Sequence, residues 1–184
     1  DLKLKIKEFE KTTLLSKNNG WKDMEYIWNV GGFILTTSLD LKISGEGLVF
    51  SNEYGKKEYY IKNSCVIIYE FLEDIEQLLS KKFSEIVTGL KISQDLVNEL
   101  REKKKILSNI KKEHNRSLKN IRKIIGAHRD HNFLLQMETM NNLKDIAFLN
   151  LISIFDNALN DLGIPMQKIL NESAKNFVLS FKNK

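Results

Sequence analysis

Gln94–Ile125 reads QDLVNELREKKKILSNIKKEHNRSLKNIRKII, a run without a single glycine or proline. Leu100, Leu107, His114 and Ile121 recur every seven residues, with Leu96, Ile110 and Ile124 beside them. That spacing puts one narrow apolar seam along a long helix whose other faces are polar. Ser93 stands where an N-cap belongs, since its side chain can accept from an early helical N–H. Gly126 stands where such a helix ends.

The sequence outward from this helix repeats the pattern. The chain has one proline, Pro165, and nine glycines, so long stretches lack helix breakers. Toward the N-terminus, Met24, Ile27, Val30, Ile34 and Leu41 mark a helix over about 22–41. Gly31 and Gly32 inside it point to a close helix crossing. Ile68, Leu72, Ile75, Leu79, Ile86 and Leu90 mark another helix over about 64–90. Toward the C-terminus, an irregular stretch runs to about Thr139. A helix then covers about 141–162, apolar on most sides from Ile146 to Phe155 and therefore expected to be central. Gly163 and Pro165 close it, and a last amphipathic helix begins at Pro165.

Two segments resist this period. Leu2–Leu15 fits a strand or a helix equally. Gly45–Lys62, with three glycines and three tyrosines, predicts a long loop or a short hairpin. The fold class expected is all-α: one domain over 1–184, an antiparallel bundle of four to six helices with one long loop or hairpin.

Composition narrows the function classes. A single cysteine, Cys65, excludes an internal disulfide. The densest apolar run is about half of what a bilayer span requires. No signal-peptide pattern opens the chain. These features predict a cytoplasmic location and no membrane contact. The net charge of +5 is unevenly spread. Arg101–Arg129 holds eleven Lys or Arg against Glu102 and Glu113, while the remainder has 18 basic and 22 acidic residues. A basic segment in a mildly acidic chain suits a polyanion such as RNA, or forms a solvated helix face.

Most catalytic signatures fail. Gly45-Glu46-Gly47 is too short for a phosphate loop. His128-Arg129-Asp130 lacks the downstream Asn and D-F-G of a kinase. His114, His128, Asp130 and His131 match no known metal spacing, so no metal or cofactor is expected. Arg122 and His128 remain. Cleavage of RNA by its own 2′-hydroxyl needs a base, an acid and a cation for the pentavalent phosphorus. Histidine serves as base or acid near neutrality, and arginine forks onto phosphate oxygens. The same two residues also suit plain hydrogen bonding at a helix end.

Leu118–Asp130, L-K-N-I-R-K-I-I-G-A-H-R-D, resembles the signature of the HEPN superfamily (higher eukaryotes and prokaryotes nucleotide-binding domains). That signature is Arg, four to six residues, then His, and here Lys123–Ala127 intervene. The F-L-L-Q-M-E-T-M that follows, and the apolar helix after it, are similar to bacterial proteins with a G-A-H-R-D core. The resemblance is strongest over Glu113–Leu151. It implies a four- or five-helix bundle, a homodimer whose two motifs share a cleft, and metal-independent endoribonuclease activity. The systems it implies are toxin–antitoxin or other bacterial defence, with an antitoxin or other protein as partner. Some members are non-catalytic dimerisation or interaction modules. Carried over by position, Arg122 and His128 are the catalytic pair. The residue after the arginine is commonly small and polar, whereas here it is Lys123. Lys119, Lys123 and Arg129 are the expected RNA-binding residues.

Overall fold

A computed structural model describes residues 2–126, 131–143 and 146–182. Among the described residues there are seven helices and no strand: α1 Leu2–Asn18, α2 Lys22–Phe50, α3 Tyr54–Leu78, α4 Lys81–Gly89, α5 Gln94–Ile124, α6 Phe133–Asn142 and α7 Ile146–Lys182. The all-helical class stands as expected, with seven helices among the described residues where four to six were expected. No helix among the described residues is long and apolar enough to cross a membrane.

Contacts divide the chain into two compact units. One comprises Asp1–Thr36, Ile75–Lys105 and Leu159–Lys184; the other comprises Thr37–Asp74 and Ile106–Ala158. Helices α2, α3, α5 and α7 contribute residues to both.

In the first unit, α5 and α7 run antiparallel. Lys103 pairs with Asp161 at 2.8 Å, Glu99 with Lys168 at 3.1 Å, and the Ser93 N–H donates to Glu172 at 2.8 Å. Met24, Ile27, Val30 and Ile34 of α2 are buried, as their spacing requires. Gly31 supplies the anticipated close crossing: a Cβ there would lie 2.7 Å from Leu170 and 2.8 Å from Phe9. Helix α1 resolves the N-terminal ambiguity in favour of helix. It packs Phe9 edge-on to Trp28 at 5.0 Å, and its end is closed by Gly20 at φ 69 and a Trp21 N–H to Ser16 carbonyl bond.

In the second unit, α2 and α3 are antiparallel. Asn63 donates to Ser44 at 2.7 Å, and Tyr60 lies against Gly47. Helices α3 and α5 are antiparallel as well, with Val66 beside Gly126, Glu70 beside Arg122 and Glu73 beside Lys111. Phe71 and Phe155, both fully buried, meet edge to face at 5.5 Å in the core.

Several boundaries differ from the sequence expectation. Gly45–Lys62 is neither loop nor hairpin: α2 runs to Phe50 and α3 starts at Tyr54, so only residues 51–53 connect them. The buried stripe of α2 continues past Leu41 to Ser44, and Gly45 and Gly47, which signalled a turn, lie within the helix. The helix expected over 64–90 is two helices, because the chain breaks at Leu79–Ser80, with Ser80 extended at ψ −165. The segment before Thr139 is not irregular throughout, since α6 begins at Phe133 under an Asn132 cap that accepts from the Leu135 N–H at 3.2 Å. Pro165 does not separate two helices. It lies inside the 37-residue α7, where the missing N–H is outweighed by burial of Leu162, Met166 and Ile169 on either side of it. In the apolar stretch of α7, Leu151, Ile152 and Phe155 are covered, while Leu149 and Ile154 face outward.

Candidate nucleic-acid interface

The C-terminal half of α5, within the second unit, holds the basic residues singled out by the sequence. Of the seam read from the sequence, Leu107, Ile110 and Ile121 are buried and Leu118 joins them, while Ile124 is half-buried, as is His114, beside Glu113 at 3.7 Å. With that seam fixed inward, the cations divide into two sets.

One set faces α3 and is neutralised. Lys111 pairs with Glu73 at 3.1 Å and is largely covered. Arg122 donates its Nε–H to Glu70, and its guanidinium lies over the Tyr69 ring at 5.6 Å. It keeps 32% of its side-chain exposure. Its pKa is raised above the ordinary arginine value, first by the Glu70 hydrogen bond and then by that carboxylate's charge. The group is therefore a permanent cation with one edge already occupied.

The other set is Lys112, Arg116, Lys119 and Lys123, all exposed. They are spaced four, three and four residues apart. That spacing aligns them in one stripe along about 16 Å of helix axis. None of the four pairs with another described residue. Long cations held together at this density repel one another, and an oxyanion ligand relieves that repulsion.

No family model matches the chain, and no curated protein or solved structure is significantly similar to it.

Of the expected site residues, Lys119 and Lys123 belong to the stripe, and Arg122 lies on its flank. His128 and Arg129 lie outside the described residues. His131 is exposed just before α6. Among the described residues no three His, Cys, Asp or Glu side chains gather as a metal site would require. Sequence reasoning passed over Lys112 and Arg116 as ligands, although their spacing to Lys119 was legible. It had no means of finding Glu70 and Tyr69, which are 52 and 53 residues distant from Arg122. Helix α6 buries no residue and exposes Phe133, Leu134 and Met137.

Proposed function

We propose that this protein binds RNA through the α5 stripe and cleaves it without a metal, in the manner the HEPN-like Arg122 and His128 spacing implies. The observation that carries the reading is the row of four exposed cations on one helix face, none paired with a described residue, flanked by Arg122. A row of this kind follows a phosphate backbone and does not read bases, so binding is expected to be tolerant of sequence.

In the cleavage step the ribose 2′-oxygen attacks the adjacent phosphorus and gives up its proton to a base. The P–O5′ bond breaks, and the leaving oxygen takes a proton from an acid. The products are a 2′,3′-cyclic phosphate and a 5′-hydroxyl. His128 is assigned one of the two proton transfers, and Arg122 the charge on the phosphorane. A cytoplasmic homodimer, alone or held by an antitoxin-like protein, is the setting that goes with this reading.

The test is RNA binding followed by anisotropy across a salt series, together with cleavage assayed in EDTA. Four phosphate contacts on a single strand predict a log–log salt slope of about −3. Lys112→Ala with Lys119→Ala should lower that slope, and cleavage should persist in chelator yet vanish in His128→Ala. Absence of measurable RNA binding at low salt ends the reading.

A second reading is a non-catalytic interaction module. The feature that favours it is α6, whose Phe133, Leu134 and Met137 are solvent-exposed on a helix with no buried residue. It predicts protein–protein association unaffected by Arg122→Ala and His128→Ala.

A further inference from the structure

Arg122, in the last turn of α5, is held by both an acid and an aromatic ring. A carboxylate next to a phosphate site is unexpected on electrostatic grounds, because it repels the ligand. The geometry suggests why it is there. A guanidinium has five N–H donors, and a carboxylate that competes for the whole group takes two of them in a fork. Glu70 takes one, the Nε–H. The terminal nitrogens donate to no described residue, and the side chain stays partly exposed. Glu70 at the Nε–H and the Tyr69 ring, 5.6 Å from the guanidinium carbon, together restrain a group that otherwise samples many rotamers. Lys119, three residues earlier on α5, is its neighbour on the helix surface.

We infer that Glu70 is a positioning residue for a phosphate site, holding Arg122 by its Nε–H against Tyr69 and leaving the terminal NH2 groups for an RNA phosphate alongside Lys119. The inference rests on the RNA-binding reading of α5 and deepens it. Glu70 lowers the cost of ordering Arg122 upon binding, and this gain exceeds the repulsion between its charge and the phosphate. The face of the Tyr69 ring attracts the same cation.

The sign of one substitution separates positioning from simple repulsion. Glu70→Gln removes a negative charge next to the site. If Glu70 merely repels or competes, an oligouridylate labelled with fluorescein binds the variant more tightly. If Glu70 positions Arg122, binding weakens by about five- to tenfold and the salt slope falls by about one phosphate contact. Arg122→Ala should show the same loss, and Glu70→Gln combined with Arg122→Ala should be no worse than Arg122→Ala alone, since the two act as a unit. Glu70→Asp should recover part of the affinity. In the free protein, the Arg122 Nε–H resonance should be protected from solvent exchange in wild type and lose that protection in Glu70→Gln, with thermal unfolding showing that both remain folded. Tighter binding by Glu70→Gln, or additive losses in the double variant, overturns the inference alone, provided that Lys112→Ala with Arg116→Ala still weakens the wild-type interaction. RNA binding that is absent, or indifferent to Lys112 and Arg116, overturns the RNA reading and this inference with it.

Discussion

Gly126 sits directly on the backbone of Arg122. A Cβ at Gly126 would lie 2.6 Å from the Arg122 carbonyl oxygen and 2.8 Å from its Cα, with Val66 of α3 at 2.9 Å. The Gly126 N–H also bonds to the Ile121 carbonyl at 3.0 Å, as does that of Ile125. The last turn of α5 is thus closed by a residue whose missing side chain is what allows the closure. Gly126→Ala should destabilise the fold by about 1–3 kcal/mol, because the obstructing atoms are backbone and cannot rotate aside. Urea unfolding measures it, and an unchanged midpoint would show that the α5 end relaxes freely.

Two substitutions of opposite type should both stabilise. Lys91 adopts φ 54, a left-handed conformation that disfavours any residue with a Cβ, while its N–H bonds to the Thr88 carbonyl to close α4. Lys91→Gly relieves that strain by roughly 1 kcal/mol. Gly163 lies inside α7, and a methyl group added there would have nothing within 4 Å. Gly163→Ala therefore gains helix propensity of about 0.5–1 kcal/mol without a clash. A fall in melting temperature for either variant contradicts the assigned backbone.

Phe71 and Phe155 are the largest side chains fully buried in the second unit. Phe155→Ala should lose about 3–5 kcal/mol through lost contacts and the cavity left behind, and Phe155→Leu much less. The edge-to-face contact adds a coupling of about 1 kcal/mol between Phe71 and Phe155 in a double-mutant cycle. Additive losses from the two alanine variants would mean that the rings do not touch.

Cys65 is fully buried, and burial pushes its thiol up to about 12. Since the thiolate is the nucleophile, the folded protein should resist aromatic disulfide reagents at pH 8 and react promptly only after denaturation. The folded value lies above the unfolded one. The thiol's contribution is therefore intact below pH 9.0 and is lost as pH rises toward about 12. Rapid labelling of native protein at pH 8 contradicts this burial.

The long helices were legible because their buried positions recur with the helical period. Met24, Ile27, Val30, Ile34 and Leu41 are all within the core, as are Leu100, Leu107 and Ile121. Reading failed between Gly45 and Lys62, where three glycines signalled a turn. Gly45 and Gly47 lie inside α2 and Gly55 in the first turn of α3, and Tyr60 packs against Gly47 where a side chain would collide with it. It failed again at Pro165, where a local rule about helix breakers met a helix buried on both sides of the break.

By itself the sequence determined the all-helical class, the inward seam of α5 and the concentration of cations along that helix, since each is a local period or a local sum of charge. Only the tertiary structure decided which cations remain unpaired. Lys111 meets Glu73 and Arg122 meets Glu70 because α3 lies against that side of α5, while Lys112, Arg116, Lys119 and Lys123 project where no described residue answers them. Pairing across 38 and 52 residues depends on how two helices are rotated against each other. That rotation is set by burial of both seams at once, so it is encoded in neither helix alone.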